Sequence, residues 1–408
     1  MSDDHTITAV RATGRGSVWE VFRVFLRLGL TSFGGPIAHL GYFREDLIQR
    51  RKWLNDDEYA DLVALGQFLP GPASSQVGFG IGLYRAGPAG GIAAAVAFTL
   101  PSAVLLTAFA FGTSLFEGVI GAGILNGLKI VAVAIVAQAV RGMARTLTPD
   151  RPRAAIAVVA VLSALLLGGS VGQIGAIVVG ALLGLICCRT GTSSTTTLAR
   201  FPVSRLAGWM CLTLFTVLLV GLPVVASVTG SGIIQLLAAF YRAGALVFGG
   251  GHVVLPLLQT GVVDTGWVTS DQFLAGYGAA QAVPGPLFTF AAYLGTLSTT
   301  GPGGILGAAV ALGGILLPSF LILVGVLPFW NSFRTRPRAQ AIMRGANAAV
   351  VGILAAALYD PVFVTAVTGP PTFALALVCF VLLIAWKVPA WAVVMVGAAG
   401  GIVLELLR

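Results

Sequence analysis

Four long stretches of the chain contain no aspartate, glutamate, lysine, arginine or histidine. They cover residues 86–116, 154–188, 206–241 and 272–333. A helix crosses the apolar core of a bilayer in about 20 residues, so each stretch holds one membrane span or two. Because backbone that touches lipid inside a bilayer has to be helical, the sequence predicts an all-α polytopic membrane protein.

The composition excludes several classes of function. Only 10% of the 408 residues are charged, against roughly 25% in a soluble domain. The net charge of +9 comes from arginines at the ends of apolar segments, which indicates membrane orientation and not nucleic-acid binding. The four cysteines form no metal-ligand pattern, and no catalytic motif is present. We therefore expect a membrane protein that is not an enzyme and has no metal or cofactor.

The segment GQFLPGP, residues 66–72, interrupts an apolar run and recurs 214 residues later as AQAVPGP, residues 280–286. Proline cannot donate a backbone hydrogen bond, and glycine adopts conformations that other residues avoid. Each segment is therefore expected to end one half-helix and begin another inside the membrane. The new half-helix exposes unpaired N–H groups and the positive end of its dipole, which favours an anion.

Other landmarks recur in the same order, at offsets of 214 to 218 residues. FGG at 33–35 matches 248–250, Trp53 matches Trp267, and LPS at 100–102 matches 317–319. The chain is thus a duplication. We divide it into a cytoplasmic N-terminal segment (1–17), a first repeat (18–190), a linker with one extra transmembrane helix (191–230) and a second repeat (231–408).

The positive charges predict that the second repeat is inverted. The four later spans of the first repeat are expected near 88–116, 119–144, 153–168 and 171–188. Basic residues of the first repeat lie between its second and third later spans, and those of the second repeat between its first and second. These residues are Arg141, Arg145, Arg151 and Arg153 in the first repeat, and Arg334, Arg336 and Arg338 in the second. Equivalent loops therefore face opposite sides of the membrane, as in many secondary transporters.

The first two elements of each repeat admit two interpretations. In the first repeat they cover about 18–34 and 59–86, and they can be two full spans or two re-entrant hairpins. The connection between them is basic in the first repeat, with Arg44, Arg50, Arg51 and Lys52, and carries no lysine or arginine in the second. Hairpins place the basic connection on the cytoplasmic side, so we favour hairpins.

The four helix breaks, two in each repeat, are expected to converge near the membrane midplane as an anion site. Backbone broken at that depth has to be buried in protein or line a watery cavity. The candidate substrate-binding residues are Arg27, Gly34, Gly35, Gln67, Gly71, Ser74, Ser75, Arg242, Gly249, Gly250, Gln281, Gly285 and Thr289. The prolines expected to break the helices are Pro36, Pro70, Pro72, Pro284 and Pro286.

Structural roles compete with binding roles at these positions. The glycines can serve helix packing, the arginines can extend toward lipid headgroups, and Ser74, Ser75 and Thr289 can act as helix caps. Lys129, at the position of Asn347 in the second repeat, either offsets substrate charge or reaches the membrane surface.

FGGP with the following FREDLIQRRKWL, then GQFLPGP, and the second FGGG with AVPGP resemble the chromate ion transporter (CHR) family of two-domain type. The resemblance implies residues 33–36 and 70–72, with their second-repeat matches, as motif residues. It also implies export of chromate, with sulfate as an analogue, across the cytoplasmic membrane. A sulfate or other oxyanion importer, an anion channel and a non-transporting scaffold are the alternatives. The sequence leaves the oligomeric state open, a homodimer included.

Overall fold

The computed structural model describes residues 16–113, 118–188, 201, 203–248, 251–330, 332 and 336–407, except for the side chain of residue 170. Within these ranges the chain is helical and contains no strand. The first repeat and the linker contain α1 (Val18–Thr31), α2 (Gly35–Phe43), α3 (Asp56–Phe68), α4 (Ala73–Gly112), α5 (Gly118–Leu147), α6 (Arg151–Leu167), α7 (Gly169–Cys187) and α8 (Arg205–Thr229). The second repeat contains α9 (Gly232–Leu246), α10 (Val254–Leu258), α11 (Ser270–Ala280), α12 (Phe290–Leu297), α13 (Gly304–Val326), α14 (Pro337–Ala357), α15 (Pro370–Ile384) and α16 (Ala390–Leu406).

The two repeats share local details that the duplication predicts. A π-helical turn extends α2 over Arg44–Arg50, and another extends α10 over Gln259–Val263. Reciprocal capping boxes begin α3 and α11, formed by Asn55 with Glu58 and by Thr269 with Gln272. Each box satisfies two backbone N–H groups at the start of its helix, which fixes where the helix begins.

The first two elements of each repeat are re-entrant hairpins. In the first repeat, the N–H of Gly16 donates to the carbonyl of Arg85 at 3.0 Å, and the Arg85 guanidinium lies over the Trp53 ring. The residues that precede, join and end the two hairpins thus lie on one face. In the second repeat, the N–H of Thr299 donates to the carbonyl of Trp267 at 3.1 Å, which brings the joining and closing loops together in the same way.

The 40-residue run α4 is two antiparallel helices and not one long span. Ala86 and Gly87 have non-helical backbone angles, which divide the run into α4a (73–85) and α4b (88–112). The arms pack so closely that a Cβ on Gly82 would collide with the carbonyl of Gly90. Gly295 and Gly307 make the same contact between α12 and α13. Here α4a closes the second hairpin, and α4b is the first of the later spans.

Later spans of each repeat pack against later spans of the other repeat. Gly127 of α5 packs against the backbone of α16 at Gly397, and Gly345 of α14 packs against the backbone of α7 at Gly180. Small residues at these crossings let the helix backbones approach closely, as is typical of membrane helix pairs. We call α5–α7 with α14–α16 the helix body, and the remaining helices with their hairpins the hairpin body.

Basic side chains are concentrated on one face of the molecule, which we call the basic face. It combines the base of the first-repeat hairpins with the helix ends near Arg151, Arg205 and Arg336. The rings of Tyr84 and Phe201 are in contact, and Arg344 donates to the carbonyl of Cys188 at 3.1 Å, so these ends lie together. The opposite face includes the described loops 229–231, 264–269 and 298–303, which contain no lysine or arginine. The inverted arrangement of the repeats follows from this distribution.

The two hairpin pairs pack differently against the helix body. In the second repeat, α11 lies along α5, with Gly278 directly beneath the carbonyl of Leu128, and α10 packs on α14. Among the described residues, α2 and α3 make no comparable contact with α5 or α14. The positions equivalent to buried Leu274 and Gly278 are Ala60 and Ala64, and both are exposed.

Candidate functional site

The four helix breaks meet through two hydrogen bonds that the pseudo-two-fold axis relates to each other. The N–H of Gly71 donates to the carbonyl of Val247 at 2.7 Å. The N–H of Gly285 donates to the carbonyl of Ser32 at 2.8 Å. Each bond joins a PGP break to the tip of the FGG hairpin in the other repeat. The structure therefore brings the breaks together, as the sequence predicts.

Glycine is required at the centre of each PGP break for two reasons. Gly71 and Gly285 have φ angles of 120° and 101°, which L-residues rarely adopt. A Cβ on Gly71 would also lie 2.5 Å from the Oγ of Ser319, and one on Gly285 would lie 2.8 Å from the Oγ of Ser102. These serines belong to the LPS motifs, and each packs on the PGP break of the other repeat.

A cavity of about 310 Å³ lies beside the second-repeat PGP break. Its polar lining comes from Gly34 and Gly35 at the start of α2, Gln138 of α5, His252, Gln281, Gly285 and Lys387. Three sources therefore converge on it: the first FGG tip, the second PGP break and the helix body.

The electrostatics of the cavity suit an anion. Lys387 is the one side chain with a full charge among the described residues that line it, and no carboxylate does so. Helix α2 begins at Gly35, so the N–H of Gly35 and the positive end of the helix dipole lie at the cavity wall, whereas Pro36 has no N–H to contribute. The Nε2 of Gln281 is buried and has no hydrogen-bond acceptor among the described residues, which leaves a donor for a bound oxygen.

The loop that carries Lys387 connects α15 to α16. The N–H of Val388 donates to the carbonyl of Leu382 at 3.0 Å, which closes the turn. Lys387 itself has a φ of 55°, a left-handed conformation that costs a non-glycine residue roughly 1–2 kcal/mol. Lys387 is exposed and lines the cavity at its rim. Its neighbour Trp386 is 72% exposed, which is typical of a residue at the membrane interface.

The first-repeat PGP break has a different environment, which is buried and polar. Gln76 donates from Nε2 to the carbonyls of Pro70 at 2.8 Å and Ser319 at 3.1 Å. His39 lies with its Nδ1 3.4 Å from the Oγ of Ser74. Several buried polar atoms here have no partner among the described residues: Ser32 Oγ, His39 Nε2, Ser75 Oγ, Gln76 Oε1 and Ser319 Oγ. We call these five residues, together with Ser74, the polar cluster.

Four predicted substrate-binding residues line the cavity, and two others lie in the polar cluster. The cavity has Gly34, Gly35, Gln281 and Gly285. Ser74 and Ser75 lie buried at the start of α4a, in the polar cluster. Gly71 lies at the first break, and Thr289 is buried and donates to the carbonyl of Pro286 at 2.8 Å. Of the predicted breaking prolines, Pro36 is the second residue of α2, and Pro70, Pro72, Pro284 and Pro286 lie in the two PGP turns.

The remaining predicted residues lie elsewhere. Arg27 is exposed on α1, in a surface groove that it shares with Glu20, Arg23 and Arg51. Gln67 is exposed on α3, whereas its second-repeat match Gln281 lines the cavity. Arg242 is half-buried on α9 and does not line the cavity. Gly249 and Gly250 lie outside the described residues.

Sequence reasoning missed Lys387 and Gln138. Lys387 lies between apolar segments beside a tryptophan, which is typical of a membrane-interface residue, and nothing in the first repeat marks its position. Gln138 is a single amide in the apolar run AIVAQAV of α5. A polar side chain in an otherwise apolar buried helix was the available signal, because such residues face a partner or a cavity more often than lipid.

Comparison with known proteins identifies related sequences over nearly the whole chain. The sequence profile of the family described as "Chromate transporter" matches residues 19–185 and 234–402. A probable chromate transport protein of Synechococcus elongatus is 29% identical over 398 residues, 95% of each chain. Chromate transport proteins of Pseudomonas aeruginosa and Cupriavidus metallidurans are 29% and 28% identical, over 93% of this chain and 90% and 91% of their own lengths. No solved structure matches the chain.

Proposed function

The chain belongs to the chromate transporter family over both of its halves, and from that premise we propose that it exports chromate across the cytoplasmic membrane. Membership of this family supports the statement that the chain is a multi-pass membrane protein that transports an oxyanion. Our proposal adds the direction, the driving force and the residues. Sulfate, a tetrahedral dianion like chromate, is the expected competitor. Export of chromate would confer resistance to chromate.

One observation supports this proposal most strongly: the cavity is built for an anion at the point where the helix breaks meet. A lysine, a helix N-terminus and two amide side chains line it, and none of its described lining residues is acidic. Lys387 can balance part of the charge, while Gln138 and Gln281 can donate hydrogen bonds to oxygen atoms. We propose Gly34, Gly35, Gln138, Gln281, Gly285 and Lys387 as the substrate-binding residues.

We propose that the basic face is cytoplasmic, because short cytoplasmic loops carry an excess of lysine and arginine. The N-terminal segment then lies in the cytoplasm with the base of the first-repeat hairpins. The rim of the cavity at Lys387 lies toward the same face, since α16 runs antiparallel to α5 and Gln138 lies on the part of α5 that leads to Arg145. Substrate would enter from the cytoplasm.

The membrane potential is sufficient to drive export of a dianion. Moving one charge across 100 mV corresponds to about 2.3 kcal/mol, so two charges give about 4.6 kcal/mol. This corresponds to a gradient of over a thousandfold at equilibrium. We propose that export is driven by the membrane potential or by a proton gradient, with the two repeats alternating around the central site.

Chromate flux into inside-out vesicles tests the function. We expect saturable accumulation that increases when the interior is made positive and that sulfate inhibits. Conductance without saturation would indicate a channel, and uptake by right-side-out vesicles that needs a cation gradient would indicate an importer. Either result would contradict the proposed exporter.

A further inference from the structure

An ion pair joins the second-repeat hairpins to the helix body on the face opposite the basic face. The Nζ of Lys129, on α5, lies 2.9 Å from the Oδ1 of Asp271, in the first turn of α11. Lys129 is largely buried there. Asn126 and Glu405 line the same cavity as Lys129, and the Nδ2 of Asn126 donates to the Oε2 of Glu405 at 3.2 Å. The pair fixes the outer end of α11 against α5.

The duplication places an equivalent pair of residues on the basic face. Asp57 matches Asp271, at an offset of 214, and Asn347 matches Lys129, at an offset of 218. These two residues are not joined in the structure, because α3 makes no substantial contact with α14. Asp57 is exposed, and no hydrogen bond joins it to Asn347 in the described structure. The interface formed in one repeat is therefore open in the other.

We propose that Lys129 with Asp271, and Asn347 with Asp57, are alternative gate pairs that determine which face of the membrane the central site opens to. In the observed state the Lys129–Asp271 pair is formed, the opposite face is closed, and the site is accessible from the basic face. In the other state α3 packs on α14, the Nδ2 of Asn347 donates to the carboxylate of Asp57, and α11 separates from α5. The open face of α3, with Ala60, Ala64 and Gln67, is buried in that state.

The two gates differ in chemistry, and the difference gives the transporter a preferred state. A charge-assisted hydrogen bond between lysine and aspartate is stronger than one from a neutral amide to aspartate. With no substrate, the equilibrium then favours the state that opens to the basic face. This inference extends the proposed function, because an exporter that rests open to the cytoplasm is ready to bind its substrate there.

Thiol labelling measures the two states without any substrate. In a variant without native cysteines, we would introduce Ala60→Cys on α3 or its equivalent Leu274→Cys on α11. A membrane-impermeant maleimide is then applied from each face. We expect labelling at position 60 from the basic face to be fast, and labelling at position 274 from the opposite face to be at least tenfold slower.

Exchanging the gate chemistry should reverse this order. The double change Lys129→Asn with Asn347→Lys is expected to slow labelling at position 60 and to accelerate labelling at position 274. Lys52→Asn, at a surface position with a φ of 54° that asparagine tolerates, is the matched control and should leave both rates unchanged.

The milder variant Asp271→Asn provides a second test if the exchanged protein folds poorly. It keeps the size of the exposed Asp271 side chain and breaks the ion pair by removing the negative charge, while Lys129 stays unchanged. Acceleration at position 274 supports the proposal, whereas unchanged rates in a folded Asp271→Asn protein overturn it. Because no chromate is present, failure of this test is distinct from failure of the proposed export activity.

Discussion

The two PGP breaks have the same backbone and opposite surroundings. Each donates a glycine N–H to the other repeat and packs against an LPS serine. At the first break the following helix begins with Ser74, Ser75 and Gln76, in the polar cluster. At the second break the equivalent residues are Phe288, Thr289 and Phe290, which are buried. The cavity there is lined by Gln281 and Gly285 of the break itself.

This difference shows what an internal duplication preserves in a transporter. Backbone breaks, close glycine contacts and the partners across the pseudo-two-fold axis are kept, since both repeats need the same hairpins. The side chains around the breaks have diverged, and so has the packing on the helix body. Ile37, which is 87% exposed in the first repeat, occupies the position of His252 in the cavity wall of the second.

Where the repeats are alike, paired substitutions should have equal and large effects. Gly71→Ala and Gly285→Ala both place a Cβ against a serine Oγ at a positive φ, so we expect each to reduce chromate flux by about tenfold or more. Gly41→Ala, on α2 with no atom near its Cβ, is the matched control. A loss in only one of the two variants would contradict the symmetric role of the breaks. Flux per folded protein in vesicles measures the effect.

Where the repeats differ in charge, a substitution should change chromate affinity only at the cavity beside the second PGP break. Removing Lys387 with Lys387→Gln eliminates a charged hydrogen-bond donor, and we expect the half-saturating chromate concentration to rise roughly 10- to 100-fold. Lys52→Gln, on the basic face outside the cavity, should leave it unchanged. If both variants behave alike, the lysine acts through the general surface potential and not as a ligand.

The polar cluster should contribute more to stability than to affinity. Gln76→Leu removes two buried hydrogen bonds to the carbonyls of Pro70 and Ser319, and we expect a loss of about 1–3 kcal/mol in stability. The half-saturating chromate concentration of the folded protein should remain near that of the parent. Thermal unfolding in detergent and vesicle flux separate these quantities. A large rise in the half-saturating concentration would place substrate at the first break as well.

Arg27 and Arg242 should differ even though the repeat aligns them. Arg27→Gln is expected to change flux less than about twofold, because exposed charges contribute about 0–1 kcal/mol. Arg242 is half-buried and so less exposed than Arg27, and Arg242→Gln should have the larger effect on flux. Equal and large losses would show that Arg27 has a role that its surface groove does not explain.

Much of the fold could be predicted because the relevant signals are local or repeated. The uncharged stretches, the paired PGP and FGG segments and the position of the arginines predict the helices, the breaks and the inversion. The repeat also predicted that the breaks converge. The sequence predicted a boundary between two elements near Ala86 and Gly87, but not that the helices on either side fold back on each other. The close contact of Gly82 with Gly90 makes that antiparallel packing possible.

The side chains at the site were less accessible to sequence reasoning. Which face of α1 or α3 is buried depends on packing against helices far away in the chain, so Arg27 and Gln67 could not be separated from their matches. Lys387 has no basic counterpart in the first repeat, so the pairing of repeated residues gives no signal at its position. The asymmetry between the repeats, which the sequence treats as equivalent, is a property of the packed state.

The central claim is that the cavity beside the second PGP break holds the oxyanion during export. Chromate-driven current from vesicles containing the parent protein, Lys387→Gln or Lys52→Gln tests it most directly. We predict a saturable current that sulfate inhibits and that Lys387→Gln weakens at low chromate concentration, with Lys52→Gln equal to the parent. A current with the same concentration dependence in all three proteins would contradict this account of the site.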